Sequence, residues 1–127
     1  MSSDEIESLE QSCRKILVLP KIRFVGVLNK MGHKIAGGFK EGITSFLQDK
    51  DNRMMYVQLI LEYLMRKDFD EGLGPIDYIV SRRAKVTMIS IPTQNYLVLI
   101  SAERDANAQD IIREVNSAFT TLPNVKP

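Results

Sequence analysis

Two segments in the second half of the chain, residues 85–91 and 96–102, are almost continuously apolar. Strands of this composition usually lie in the middle of a sheet, because the apolar side chains on both faces must be covered. The Pro-Thr-Gln-Asn sequence at 92–95 fits a hairpin connection between them. The pattern therefore predicts an α/β (α+β) domain of three layers, with helices on both sides of one sheet.

The remaining elements follow from the spacing of apolar residues and from turn-forming residues. Helices are predicted in three places: from the N-terminus to Pro20, from about 49 to 67, and from 105 or 107 to 119. Further strands are predicted at 22–29, 33–39 and 76–82. The order α-β-β-α-β-β-β-α and the short hairpins predict a five-stranded, mostly antiparallel sheet. The middle helix is expected on one face and the terminal helices on the other.

Local signals refine the ends of these elements. Ser2, with Glu5 three residues later, fits a capping box at the start of the first helix. Asp49 or Asp51 is expected to cap the middle helix. Residues 40–50 are expected to form a short turn of helix or a covering loop, and residues 68–74 a loop.

Length and composition predict one domain over residues 1–127, with a frayed tail at 121–127. The net charge of +1 gives no indication of nucleic-acid binding. The single cysteine, Cys13, excludes an internal disulfide and fits a reducing compartment. The acidic start MSSDEIESLE does not resemble a secretory signal, and no apolar run is long enough to span a bilayer. A cytoplasmic protein is therefore expected.

The middle helix is apolar around most of its circumference. In its sequence MMYVQLILEYLM, only Gln58 and Glu62, continued by Arg66, form a thin polar stripe. Such a helix is expected to be buried on more than one side. Because one small sheet covers one side, the simplest cover for the other is a second copy of the protein, although the 40–50 segment is an alternative for part of it.

The segment VGVLNKMGHKIAGG, residues 25–38, is the clearest candidate for chemistry. A P-loop needs G-x-x-x-x-G-K-[ST] running into a helix, whereas Gly37 is followed here by Gly38 and Phe39, and strands flank the glycines. His33 is the only histidine, so neither a catalytic triad nor a zinc site can be assembled around it from a local motif. The segment is therefore interpreted as a β-hairpin with Gly32 in its turn.

Two charged clusters are weaker candidates. Asp68, Asp70 and Glu71 lack the ligand spacing of an EF-hand and are expected in a solvated loop. The dense basic group formed by Arg82, Arg83 and Lys85 is either a solvated hairpin tip or a patch for an acidic partner or a phosphate group. No catalytic, metal-binding or cofactor-binding residue is predicted.

The element order, with GVLNKMGHKIA as the first hairpin, resembles the roadblock/LC7 type of domain within the profilin-like and longin-like architecture. This resemblance covers roughly residues 4–120. Three segments also resemble a family of small archaeal proteins of unknown function: RFVGVLNKMGHKIAGGFKEG, MRKDFDEGLGPIDYIVSRR and VTMISIPTQNYLVLISAE.

The roadblock resemblance implies a non-enzymatic homodimer, in which the middle helices pair and the third strands join the two sheets. Members of that family scaffold complexes and regulate Ras-like small GTPases, so a small GTPase or another protein is the implied partner. A PAS-like or profilin-like small-molecule sensor is the alternative, and would need a cavity between helix and sheet. The interface residues expected in a dimer are Met55, Tyr56, Leu59, Tyr63, Ile76 and Tyr78.

Overall fold

The computed structural model describes residues 2–119, which form the predicted order of helices and strands with two short helical additions. The elements are α1 (Ser3–Leu17), β1 (Ile22–Leu28), β2 (Lys34–Phe39), α2 (Asp49–Arg66), a 3-10 turn (Lys67–Phe69), α3 (Asp70–Leu73), β3 (Ile79–Arg82), β4 (Val86–Pro92), β5 (Leu97–Glu103) and α4 (Ala108–Phe119). The expected frayed tail at 121–127 lies outside the described residues.

The five strands form one antiparallel sheet in the order β2-β1-β5-β4-β3. The two apolar segments of the sequence became β4 and β5, and β5 lies at the centre of the sheet as predicted. The ends of the sheet are β2 and β3. The predicted five-stranded sheet with helices on both faces is confirmed.

The larger core lies between the sheet and the terminal helices. Helix α1 contributes Leu9, Cys13 and Ile16 to it, and α4 contributes apolar residues from Ile111 to Phe119. The Ser12 hydroxyl donates a hydrogen bond of 2.9 Å to the carbonyl of Ala118, which joins the two helices. Both terminal helices therefore cover the same face of the sheet.

The opposite face is covered by α2 through a smaller core. The Phe24 ring lies 4.8 Å from the ring of Phe39 and 6.1 Å from that of Tyr56, measured between ring centroids. A Cβ added to Gly26 would lie 2.7 Å from the Phe24 ring, so the glycine leaves room for the ring on the sheet. This aromatic group anchors the first half of α2, and Ile60 continues the contact one turn later.

The glycine-containing segment at residues 25–38 is a β-hairpin, as predicted. The Asn29 side-chain oxygen accepts hydrogen bonds of 3.0 Å from the backbone N–H groups of Met31 and His33, which closes the turn between β1 and β2. Gly32 has a positive φ of 84°, and a Cβ there would lie 2.8 Å from Cα of Val57. The turn therefore touches the middle of α2, and only glycine allows this approach.

Several predicted boundaries need correction. The capping box is confirmed, because the Ser2 hydroxyl accepts a hydrogen bond of 3.1 Å from the backbone N–H of Glu5. The middle helix is preceded instead by Gln48, which makes no side-chain cap, and Asp49 is its first helical residue. A carboxylate at that position still interacts favourably with the helix dipole.

The region between α2 and the third strand also differs from the prediction. The predicted loop at 68–74 is instead the 3-10 turn and α3, which together span residues 67–73, and β3 begins at Ile79, three residues later than predicted. Residues 40–48 form a covering segment without a helix, held by the Arg23 guanidinium, which donates a hydrogen bond of 3.0 Å to the carbonyl of Thr44. The ring of Phe46 lies over this guanidinium, 4.3 Å from Cζ of Arg23.

Candidate protein-interaction surface

Helix α2 has two apolar faces, and within residues 2–119 only one of them packs on the sheet. Tyr56 and Ile60 face the sheet and are 6% and 7% exposed. The face turned away from the sheet carries five large apolar side chains that are 41% to 70% exposed: Met54, Val57, Leu61, Leu64 and Met65. We call these five residues the α2 stripe. Two more exposed apolar side chains, Phe69 and Leu73, follow directly after the helix.

The spacing of the α2 stripe explains how one helix presents two apolar faces. Its members recur at intervals of three, four and one residues, so that they lie on one side of the cylinder. The polar side chains Gln58 and Glu62 separate the stripe from the sheet-facing side on one flank only. An exposed apolar band of this length is typical of a protein–protein contact rather than of a solvated helix.

The structure places the first three residues predicted for the interface against the sheet of their own chain. Tyr56 is buried against Phe24, and Met55 and Leu59 pack partly buried against the same small core. These side chains face their own sheet, so they have little surface to offer to a partner. Because α2 is apolar around most of its circumference, its sequence gives no signal of which side meets its own sheet.

The other three residues predicted for the interface lie near the far end of α2 and before β3. Tyr63 is half-buried, with Nζ of Lys67 5.7 Å from its ring centroid. Burial and the nearby charge of Asp70 raise its pKa. Ile76 is half-buried, whereas Tyr78 is exposed and its hydroxyl accepts a hydrogen bond of 2.9 Å from the Gln109 side chain. Tyr78 therefore faces the layer of α4 rather than that of α2.

Within residues 2–119, the outer edge of β3 has no strand paired with it. In its pairing with β4, the backbone N–H of Arg83 donates to the carbonyl of Val86 at 2.8 Å. Because backbone groups alternate between the two sides of an antiparallel strand, those of Val80 and Arg82 point away from β4. Exposed strand edges of this kind can accept a further strand.

The opposite edge, β2, is blocked by side chains of its own chain. The backbone N–H of Gly37 donates a hydrogen bond of 3.0 Å to the Glu10 carboxylate. The carbonyl of the same glycine accepts one of 2.9 Å from the Lys34 ammonium group. Gly37 also has a positive φ of 90°, which interrupts the regular strand conformation. Of the two edges of the sheet, β3 is therefore the one that can be extended.

The predicted basic patch does not form one surface. The Arg82 guanidinium donates hydrogen bonds of 2.8 and 3.0 Å to the carbonyls of Arg104 and Ala106, on the side of α4. The Lys85 ammonium lies 5.4 Å from the centroid of the Phe46 ring, in the covering segment on the side of α2. Arg83 is exposed between them. The three charges therefore do not converge on one ligand.

The candidate residues for chemistry are also dispersed. His33 is exposed in the hairpin turn, and Cys13 is fully buried, which raises the pKa of its thiol to about 12. Within residues 2–119, no group of three or more His, Cys, Asp or Glu side chains is placed to hold a metal ion. In the same part of the chain, no helix has both the length and the apolar character needed to cross a membrane.

The space between α2 and the sheet, where a small-molecule sensor would need its cavity, is occupied by side chains. Phe24, Leu28, Leu97 and Leu99 from the sheet are buried there against Tyr56 and its neighbours on α2. No observation among the described residues favours the sensor alternative.

Comparison with solved structures identifies the fold. A structure of the gliding protein MglB from Thermus thermophilus superimposes with a TM-score of 0.78 at 8% identity, covering 93% of this chain and 87% of that chain. MglB from Myxococcus xanthus gives 0.69 at 12% identity, with 100% and 97% coverage. A Roadblock/LC7 domain from Streptomyces avermitilis gives 0.69 at 11% identity, with 89% and 92% coverage. The chain therefore has the Roadblock/LC7 fold, and this predicted resemblance is confirmed.

Sequence comparison gives the family. No curated protein matches the sequence. Residues 1–119, almost the whole chain, match a family described as a family of unknown function, DUF6659. The archaeal source of the family that the sequence resembles stays an expectation. By its sequence the chain belongs to the family of unknown function DUF6659, and its fold is that of the Roadblock/LC7 domains.

Proposed function

We propose that the protein is a non-enzymatic homodimer that serves as a scaffold or regulatory interaction module for a Ras-like small GTPase. The observation that carries the proposal is the α2 stripe. Its five apolar side chains lie on one helix face, opposite the face that packs on the sheet. Burial of this stripe against a second copy supplies the hydrophobic contact that a stable dimer requires.

The open edge of β3 supports the same arrangement. It adjoins the exposed residues Tyr78 and Val80, and among the described residues no side chain is seen to block it as Glu10 and Lys34 block β2. A two-fold axis beside β3 would pair the two open strand edges in one closed contact, since the same surface is used by both copies. The dimer interface proposed here therefore consists of the α2 stripe and β3, instead of the buried Tyr56 and its neighbours.

The non-enzymatic part of the proposal rests on the dispersal of reactive groups. Nucleophilic or acid–base catalysis needs a nucleophile, a base and an orienting group within hydrogen-bond reach of one another. Here the thiol of Cys13 is buried in the core, and His33 lies on an exposed turn beyond the sheet. The GTPase part of the proposal rests on the resemblance to roadblock domains, because members of that family regulate Ras-like small GTPases.

The oligomeric state tests the central claim. Multi-angle light scattering at tens of micromolar should give twice the chain mass of 14.4 kDa. A mass of one chain across that concentration range would contradict the proposal. Affinity capture from native lysate, with the wild-type chain as bait, should recover a small GTPase, and its absence from repeated captures would contradict the assigned partner while leaving the dimer untouched.

A further inference from the structure

The alternation of side chains along β3 separates two sets of residues. Ile79 and Ser81 lie opposite Ser90 and Met88 of β4, on the side of α2. Val80 lies opposite Ile89, whose side chain belongs to the core under the terminal helices, and Arg82 bonds to carbonyls on that same side. Continued alternation assigns Asp77 and Arg83 to the side of α2 and Tyr78 to the side of α4.

Asp77, two residues before β3, and Arg83, one residue after it, carry opposite charges. Both are exposed, and within residues 2–119 neither forms an ion pair. They are six residues apart, with Val80 midway between them. In a symmetric antiparallel pair of strands, residues equally distant from the axis lie opposite each other. A strand pair centred on Val80 would therefore bring Asp77 of each copy to Arg83 of the other.

We propose that the homodimer pairs its β3 strands in the register centred on Val80, with Asp77 and Arg83 forming two ion pairs between the copies. The inference rests on the proposed homodimer and adds its register and the charges that select it. Val80 of one copy then contacts Val80 of the other across the axis. Its outward backbone groups form the central hydrogen bonds of a ten-stranded sheet.

The same register also gives favourable pairs on the side of α4. Tyr78 of each copy lies opposite Arg82 of the other, an aromatic ring beside a guanidinium whose hydrogen bonds already hold it to the loop after β5. Because opposite side chains in such a pair are about 4.5–5.5 Å apart at Cβ, these contacts are direct.

Neighbouring registers are less favourable. The outward-pointing backbone groups allow shifts of two residues between partners, which move the axis by one residue. An axis at Ser81 places Val80 opposite Arg82 and Ile79 opposite Arg83, apolar side chains against charges. An axis at Ile79 places Arg83 opposite Pro75 and leaves Asp77 opposite Ser81. The Val80 register is the one of the three that pairs Asp77 with Arg83.

Complementary charge reversal tests the pairing with the full chain. Asp77→Arg and Arg83→Asp should each raise the dimer dissociation constant roughly tenfold or more, because two attractive pairs become two repulsive ones. Mixed in equal amounts, the two variants should form a heterodimer of wild-type affinity, since both ion pairs are then restored. The double variant Asp77→Arg/Arg83→Asp should likewise dimerise as the wild type does. Circular dichroism of each variant reports whether the fold is kept.

Single-cysteine cross-linking gives a second test that is independent of charge. The native thiol of Cys13 is buried and has a raised pKa, so mild oxidation reports the introduced cysteine. Val80→Cys should give a disulfide-linked dimer, whereas Ile79→Cys and Ser81→Cys alone should not, and a mixture of these two should cross-link.

The outcomes distinguish the register from the dimer. A wild-type dimer whose affinity is unchanged by the single reversals, or that cross-links through Ser81→Cys or Ile79→Cys alone, overturns the register and leaves the proposed homodimer standing. A wild-type chain that is monomeric by multi-angle light scattering at tens of micromolar overturns the homodimer, and the register with it.

Discussion

Placing a charge in the α2 stripe should convert the dimer into folded monomers. Leu61 lies in the middle of the stripe and is 53% exposed in the single chain. Fully burying a leucine side chain contributes about 1.5–3 kcal/mol, so burying the exposed half contributes about 1 kcal/mol per copy, or about 2 kcal/mol per dimer. Leu61→Asp removes this contribution and adds the cost of desolvating two carboxylates.

The expected loss of dimer stability is therefore more than about 3 kcal/mol, which corresponds to more than about a hundredfold increase in the dissociation constant. Sedimentation velocity over a dilution series measures this constant. The fold itself should persist, because in the single chain Leu61 already faces solvent. Far-ultraviolet circular dichroism and the urea midpoint should therefore stay close to those of the wild-type monomer.

Gln11→Asp is the matched control for added charge. Gln11 is exposed on α1, on the opposite face of the sheet, so the same carboxylate there should leave the dissociation constant unchanged. A dissociation constant for Leu61→Asp within threefold of the wild-type value would refute the role of the α2 stripe in the dimer. That role is equally refuted if Gln11→Asp weakens the dimer as much as Leu61→Asp does.

Other predictions follow from the buried residues and from one ion pair. Tyr56→Ala should lower the free energy of unfolding by about 3–5 kcal/mol in urea titrations, because an aromatic side chain leaves the core under α2. Gly37→Ala should lower the free energy of unfolding by at least about 2 kcal/mol, because Gly37 has a positive φ and an added Cβ would lie 2.0 Å from the carbonyl oxygen of Val25. Cys13 should resist thiol reagents in the folded protein at pH 8, because burial raises its pKa to about 12. A hydrogen bond from Lys21 lowers the pKa of Asp105. The pKa of Asp105 is therefore lower in the folded protein than in the unfolded chain. The ion pair stabilises the protein fully at pH values above the unfolded-state pKa, and this stabilisation is lost as the pH falls through the folded-state pKa. Lys21→Met should return the pKa of Asp105 toward its usual value in an NMR titration.

Matched variants keep these predictions falsifiable. Gly38→Ala should be tolerated, because an added Cβ meets nothing within 4 Å there, and equal destabilisation by both glycine variants would contradict the argument for Gly37. Leu64→Ala, on the exposed face of α2, should change the stability of the monomer far less than Tyr56→Ala does. Rapid labelling of Cys13 without unfolding, or an Asp105 pKa that is the same with Lys21→Met, would contradict the other two predictions.

The architecture could be predicted from the sequence because several independent signals agreed. The two apolar strands required cover on both faces, Ser2 and Glu5 marked the first helix, and Gly32 marked the hairpin turn. Each of these signals is local or depends on one period of apolar residues. The structure confirms each of them with a specific contact, such as the hydrogen bond between the Ser2 hydroxyl and Glu5.

The details of the interaction surface could not be predicted in the same way. Which side of α2 meets its own sheet depends on the Phe24, Phe39 and Tyr56 rings packing together, and these residues are far apart in sequence. The basic residues near position 83 were grouped by their closeness in sequence, but strand alternation sends Arg82 to the side of α4. Proximity along a strand does not imply a common face.

The middle-helix cap and the short helix after it show a similar limit. The sequence predicts Asp49 or Asp51 as the cap of α2, but both lie in the first turn of the helix, where their charge is still favourable. Residues 70–73 have an acidic, glycine-containing sequence that is typical of a loop, yet they form a single turn of helix that ends at Gly74 with a φ of 84°. The conformation of such short segments depends on the parts of the chain that surround them.

The side chains that form hydrogen bonds to the backbone of Gly37 affect how many copies of the protein can join through their strands. A sheet with two open edges can add copies at both ends, and repeated head-to-tail addition produces fibres. Here Glu10 and Lys34 occupy the backbone groups in the middle of β2, so a copy that joins through β3 presents a closed edge to the solution. In the proposed dimer, strand addition would therefore stop after one step, because Glu10 and Lys34 close the far edge of each sheet at Gly37.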